Sequence, residues 1–167
     1  MTKVIISVGS NLDDPQAKVR AAFKFIDRQS ANVHMSQLYL TQAVGPVTQA
    51  AFVNAAIRFD TALTAPDLLK QLLEIERKAG RDRSAETPKG PRVLDLDIIL
   101  FGTELWSEKE LHVPHPRFRE RRFVLAPMAE IAANMLDPLT HKNIAQLLAE
   151  CTDKSWIKPL EKELNTV

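Results

Sequence analysis

The chain has 167 residues, 45% hydrophobic and 26% charged, which is the composition of an ordinary globular protein of one domain, residues 1–167, with length enough for a sizeable core. A net charge of +1 gives no overall field for gripping a nucleic-acid backbone, and no apolar run approaches a membrane span, so neither partner is expected. The lone Cys151 excludes an internal disulfide and the opening MTKVIISVGSN has no small-residue cleavage site, so a cytoplasmic protein is expected.

KVIISV reads as a strand that stops at Gly9, Ser10 and Asn11. Asp14 caps a helix with Pro15 at its first position, and Val19, Ala22, Phe23 and Ile26 form its apolar stripe. VHMSQLYLT reads as one strand, followed by a loop, QAVGPVTQA, with a Gly-Pro turn. The next strand, FVNAAIRFD, sorts by parity: Val53, Ala55, Ile57 and Phe59 take the core face, while Phe52, Asn54, Ala56 and Arg58 form a half-polar face open to a ligand. Thr64 with Asp67 resembles a capping box opening a helix that Gly80 closes, with Leu68, Leu69, Leu72, Ile75 and Ala79 as its buried stripe. Glu76 falls in the middle of that stripe, and a buried carboxylate needs a partner. An arginine-rich loop, RDRSAETPKGPR, leads into the strand LDLDIILF. ELWSEKELHV follows, then PHPRFRERRFVLAPMAEIA, read as two helical pieces broken at Pro127, and a tail, NIAQLLAECTDKSWIKPLEKEL, read as one or two covering helices. The loop between the second and third strands is too short for a parallel crossover. The order β-α-β-β-α-β therefore predicts an α+β, ferredoxin-like fold with a mainly antiparallel sheet and helices covering one face.

Chemistry concentrates on the fourth strand. By simple alternation Asp95, Asp97, Ile99 and Phe101 share one side and Leu94, Leu96, Ile98 and Leu100 the other, which leaves the two carboxylates pointing the same way, roughly 6.5 to 7 Å apart at the backbone. Half buried and unpaired they would repel, so a cation must complete them: a metal ion or an arginine cluster. The five glycines, at 9, 45, 80, 90 and 102, spell neither a Walker A nor a G-x-G-x-x-G loop, so any phosphate must be held by side chains. Arg81, Arg83 and Arg92 bracket one loop, Arg121 lies downstream, and His115 sits on a stiff backbone between Pro114 and Pro116. Paired aspartates opposite arginines suit a magnesium-nucleotide platform. Phe52 beside Asn54 suits a flat heterocycle with a hydrogen-bonding edge.

Together, SVGSN, FVNAAI, EIERKAGRDR, GPRVLDLDIILFG and VPHPRFRERRFVLAPMAEIA resemble the ordered motifs of the 6-hydroxymethyl-7,8-dihydropterin pyrophosphokinases of folate synthesis, from about residue 4 to residue 132. The resemblance implies transfer of pyrophosphate from ATP to the pterin hydroxymethyl, with release of AMP, by a monomer. It implies that Asp95 and Asp97 hold two Mg2+ ions and that Asn54 reads the pterin edge. Phe52 and Phe123 would sandwich the ring, with Thr41 and Val44 lining the same pocket. Arg81, Arg83, Arg92, His115 and Arg121 would meet the ATP phosphates or close over them, and Glu76 would support the site from behind. Lys89 stands where the family commonly has an aromatic residue, and no proline follows Thr41. Two rivals remain at this stage: a nucleotidyltransferase, which also uses Asp-x-Asp, and a ferredoxin-like module that binds nucleic acid or a small ligand without catalysis.

Overall fold

The computed structural model describes residues 1–160. Two long strands form the middle of the sheet, β1 (Thr2–Ser10) and, after the helix α1 (Pro15–Asp27) and the short strands β2 (Ala31–Met35) and β3 (Tyr39–Thr41), β4 (Phe52–Thr61). The helix α2 (Ala65–Lys78) returns the chain to β5 (Asp95–Phe101), and a small hairpin, β6 (Trp106–Glu108) and β7 (Leu111–Val113), leads to α3 (Arg122–Ala132), α4 (Ile144–Glu150) and β8 (Ile157–Pro159). The main sheet runs β5-β1-β4-β3-β8, with β2 also paired to β4, and every pairing is antiparallel. With β2 and β3 counted as one strand, this is the expected ferredoxin-like α+β order.

Local chemistry explains the elements that were foreseen. The Asp14 side chain accepts from the Ala17 N–H at 3.4 Å, and Val19, Ala22 and Ile26 are buried as the stripe requires. Thr64 Oγ1 accepts from the Asp67 N–H at 3.2 Å at the start of α2. The parity of β4 holds, since Val53, Ala55, Ile57 and Phe59 pack with Val4, Ile6, Val8 and the stripes of α1 and α2.

Five expectations are corrected. VHMSQLYLT is two strands, because Ser36 leaves the ladder to bond β4 directly, its Oγ accepting from the Ala56 N–H at 2.9 Å. The sheet is covered on both faces: Ile5, Ala56, Ile99 and Leu100 pack under α3 and α4 in a second core. The alternation of β5 breaks at a β-bulge, where Ile6 pairs Ile98 but Ile5 pairs Leu100, so Ile99 is one residue too many. Beyond it the parity inverts, and Phe101 joins Leu96 and Ile98 in the first core while Leu100 turns with Ile99 to the second. Pro127 does not break its helix. It sits at the middle of α3, sixth of eleven residues, where it removes the bond that would reach the Phe123 carbonyl, a loss outweighed by the burial of Val124, Leu125, Met128 and Ala132. In the tail, α4 is one of the expected helices, but residues 157–159 are a strand on β3, and the part of that expectation beyond residue 160 lies outside the described residues. Among the described residues no helix is long and apolar enough to cross a membrane.

Candidate active site

A cleft of about 510 Å³ opens over the ends of β1, β4 and β5, lined by Thr41, Val44, Phe52, Asn54, Arg92, Asp95, Asp97, Arg121 and Phe123, nine of the anticipated residues. The sheet register builds its floor. Gly9 pairs Asn54 on one side and Asp95 on the other, and Ser7 pairs Asp97, so the carboxamide and both carboxylates project in adjacent rows of one face. Gly9 was read only as the stop of β1, yet a Cβ there would lie 2.7 Å from Asn54 Oδ1. Its bare backbone makes the space in which Asn54 lies. Asn54 is buried, and its Nδ2 donates to Thr41 Oγ1 at 2.7 Å, which fixes the amide and leaves the rest of its hydrogen-bonding edge to the cleft. Phe123 lines the cleft with Phe52, and Arg121 carries its guanidinium carbon 5.7 Å from the Phe123 ring centroid.

Behind the aspartates lies an ion cluster assembled by the end of α2. Gly80 takes a left-handed φ of 102°, its N–H donates to the Arg77 carbonyl, and the next N–H, of Arg81, donates to the Glu76 carbonyl, a Schellman closure that folds Arg81 back over Glu76. Arg81 Nη1 donates to Glu76 Oε2 at 2.7 Å and to Asp95 Oδ1 at 2.9 Å, and its Nε donates to Glu86 Oε1 at 2.6 Å. Glu76 completes its shell with Arg83 Nη2 at 2.7 Å and the Leu96 N–H at 2.8 Å. The partner that a buried Glu76 requires is therefore two arginines and a strand amide, and burial still pushes its carboxyl up against their pull. Arg81 is turned inward, 5% exposed, and does not line the cleft. It holds Asp95 instead, and its own pKa is raised above the usual arginine value, the three carboxylates outweighing its burial.

Asp97 is different. Burial, reinforced by the Asp95 and Glu76 carboxylates, pushes its carboxyl up to about 7, and none of those causes is a hydrogen bond. Arg121 and Arg81 pull the other way by charge alone, so among the described residues Asp97 has no hydrogen-bonded partner, and a cation would relieve it. Among the described residues no cluster of three or more His, Cys, Asp or Glu could hold a metal by itself. The protein thus offers two carboxylates and leaves the remaining positions to other oxygens, a donor set that suits Mg2+.

The other expected cations are placed unevenly. Arg92 lines the cleft, but its Nη1 donates to the Thr87, Gly90 and Pro91 carbonyls and its Nε lies 3.2 Å from Glu86. Arg83, with 57% of its side chain exposed, stands outside the lining, held to Glu76. His115 is outside it too. Its N–H donates to the Ile99 carbonyl at 3.0 Å, and its Nδ1 accepts from the Arg117 N–H, so the neutral ring carries its proton on Nε2. Burial and the charge of Arg121 hold that ring down to about 4, so it is neutral near pH 7. Residues not foreseen as lining include Gln42, Arg117, Glu120, Thr152 and Asp153, the last two from the tail, where covering helices were expected. Lys89 lines it as well, at a left-handed φ of 56°, with its Cβ toward Gly45 and its carbonyl accepting from Gln49 Nε2 at 2.8 Å.

The family model for 7,8-dihydro-6-hydroxymethylpterin-pyrophosphokinase matches residues 5–133, which contain the floor of this cleft. The chain belongs to that family. Membership carries the family's activity, pyrophosphokinase chemistry in folate biosynthesis. The 2-amino-4-hydroxy-6-hydroxymethyldihydropteridine pyrophosphokinase of Pseudomonas aeruginosa is 39% identical over 151 residues, covering 89% of this chain and 91% of that protein. A folic acid synthesis protein of Pneumocystis carinii is 34% identical over 94% of this chain, which spans 21% of that longer protein. Among solved structures, a triple mutant of the Plasmodium falciparum HPPK-DHPS with pteroate superposes with a TM-score of 0.69 at 12% identity over 89% of this chain. This chain spans 43% of it, and at that identity the likeness speaks for the fold.

Proposed function

We propose that the pyrophosphokinase reaction takes place in this cleft, on ATP and 6-hydroxymethyl-7,8-dihydropterin, and that it depends on magnesium held by Asp95 and Asp97. One observation carries the reading: a pair of carboxylates, one of them without a hydrogen-bonded partner, shares the face of a single sheet with a buried carboxamide flanked by two aromatic rings. The rings of Phe52 and Phe123 offer the two faces of a slot for a flat heterocycle, and Asn54, its rotamer set by Thr41, presents donor and acceptor to the heterocycle edge. Val44 closes the slot from the loop side.

Beside the slot the same chain supplies the phosphate contacts. Arg121 and Arg92 line the cleft, the latter with its Nη1 and Nε already engaged by the loop and Glu86, and neutral His115, outside the lining, has an Nε2–H that an anionic oxygen could reach only if the site closes. Arg81 acts at one remove by fixing Asp95, and Glu76 fixes Arg81. Magnesium, when bound, neutralises phosphate charge and favours departure of the leaving oxygen. The residues contribute alignment and electrostatic stabilisation, with no covalent intermediate on the protein. The substrate hydroxyl attacks the β-phosphorus, the bond from the β-phosphorus to the α,β-bridging oxygen breaks, and the hydroxyl proton goes to solvent as AMP departs.

The test is the product set. Protein with ATP, magnesium and the dihydropterin is expected to give AMP and pterin diphosphate in equal amounts, and EDTA to stop both. ADP as the main nucleotide, or free pyrophosphate with a nucleotidylated pterin, refutes the reading. So does turnover that survives chelation.

A further inference from the structure

Helix α3 begins without a cap of its own. Its N-cap position is Arg121, whose side chain makes no capping hydrogen bond, and the first helical residues, Arg122 and Phe123, follow directly. The missing acceptor comes from 31 residues away, where Asp153 Oδ2 accepts from the Arg122 N–H at 3.0 Å. The Arg122 side chain closes the contact from the other direction, its Nε donating to the Asp153 carbonyl at 3.0 Å. Asp153 is itself pinned, since its Oδ1 accepts from the Ser155 N–H at 2.9 Å and from the Ser155 hydroxyl. From Trp156, three residues after Asp153, the same segment grips the opposite wall of the cleft. Trp156 and Gln42 exchange bonds at 3.1 Å in both directions, and Ile157 pairs Thr41 in the sheet. One short stretch of the tail therefore spans from the Phe123 wall to the Thr41 wall, and it lies beyond residue 133, where the family match ends.

We propose that Asp153 is a positioning residue for the pterin slot: by capping α3 from the tail it holds the turn that carries Arg121 and Phe123 at a fixed distance from β3 and β4. A helix whose first N–H groups have no acceptor frays from that end. Here the fraying turn bears one of the two aromatic faces of the slot. The magnesium carboxylates stand on β5, in the sheet, and their placement does not depend on this cap. The expected signature is therefore graded: pterin, which loses an aromatic face, is weakened most, and the nucleotide, which keeps Arg92 and the carboxylates and shares only Arg121 with this turn, is weakened less.

The inference rests on the assignment of the Phe52–Phe123 slot to pterin, and two readouts on the full-length protein separate them. In Asp153→Ala the Arg122 to Leu125 amides of the unliganded protein are expected to exchange faster. The pterin KM should rise about tenfold with kcat within about threefold, and affinity for a non-hydrolysable ATP analogue, which meets this turn only through Arg121, should fall by no more than about threefold. Asp153→Asn keeps one oxygen to accept from Arg122 and is expected to recover most of the loss. Should Asp153→Ala fail to fold, Ser155→Ala unpins the carboxylate without removing it and is expected to move both readouts the same way by less. Unchanged exchange in the first turn of α3 overturns the cap, and weakened pterin binding without faster exchange would make Asp153 a direct contact instead. Equal loss of nucleotide and pterin would reduce Asp153 to a general stabiliser and also overturn the proposal. Wild-type protein that binds no pterin would sink the slot assignment, with the exchange result still deciding the cap.

Discussion

Replacing Gly9 with alanine adds one methyl group in the middle of the candidate pterin slot, and the register makes its consequence calculable. The new Cβ would lie 2.7 Å from Asn54 Oδ1 and 3.8 Å from an edge carbon of Phe52. The first distance is below any real contact. Asn54 has nowhere simple to go, because it is 4% exposed and its amide nitrogen is bound to Thr41. Moving it breaks that bond, worth about 1 kcal/mol, on top of an overpacking cost of about 1 to 3 kcal/mol, so the folded protein should lose about 2 to 4 kcal/mol. Binding suffers separately. With the carboxamide displaced, the pterin edge enters the slot unpaired, a loss of about 1 to 3 kcal/mol, which is about five- to 150-fold in Kd. Nucleotide affinity should hardly change, since the atoms nearest the added methyl belong to Asn54 and Phe52 and not to the phosphate-facing groups of β5 and α3. Titration calorimetry with each ligand alone, beside a urea melt, reads all three quantities. Pterin affinity within twofold of wild type despite the expected fall in stability would show that Asn54 does not read the ring.

Asp97 predicts how metal binding follows pH. A carboxyl pushed up to about 7 is partly protonated at neutrality, and a metal must displace that proton. Magnesium affinity in the presence of nucleotide is therefore expected to rise as pH climbs through about 7 and to level off above it. Without metal, the same raised pKa makes the ionised group a cost that appears as pH rises from the ordinary carboxylate range to about 7, so Asp97→Asn should abolish turnover while flattening that part of the stability profile. An Asp97→Asn variant with normal turnover at saturating magnesium contradicts the assignment. Away from the cleft, Asp137 is wholly buried, with Arg119 Nε at 2.6 Å and Nη2 at 2.8 Å, and it also accepts from Thr140 and from the Leu139 N–H. Arg119→Met should cost about 3 kcal/mol, because it strands that charge, and a thermal shift of under a degree would contradict this. The Asp137 carboxyl is held below its usual range by Arg119 and its other donors, against its burial. Its stabilising contribution is thus complete above the unfolded pKa and lost as pH falls through the lower folded one, and the acid transition of the variant should lie closer to neutrality.

What could be read from the residues alone divides along a physical line. Helix caps, the parity of β4 and the facing of Asp95 with Asp97 depend on neighbours in sequence, and each is where local rules place it. Phe52 and Asn54 came from strand parity, Thr41, Val44 and Phe123 from motif resemblance, and all five line one cleft. The bulge at Ile99 could not be read, because nothing in DIILF marks it; it exists because β1 and β5 are fitted to two cores at once. The inward turn of Arg81 depends on three carboxylates brought together by the fold, two of them from other elements. A signal for Gly9 was present, since glycine inside a strand often marks close approach of another group, but which group depends on the register. The tail was misread because strand β8 has only three residues and pairs with a strand more than 110 positions earlier, out of reach of any local pattern.

The extra residue in β5 has a use beyond repairing parity. Ile99 has no opposite number on β1, and its carbonyl is the acceptor for the His115 N–H. Removing Ile99 from the chain would leave Leu100 opposite Ile5 and Phe101 opposite Val4, as they already are, and would take one side chain out of the second core. The tether would go with it. The irregular residue thus serves as a mooring: it ties the turn that bears the histidine to the strand that bears the aspartates, two residues beyond Asp97. Thermal drift of the sheet edge then carries donor and acceptors together, and their mutual spacing survives motions that would blur the position of either one alone.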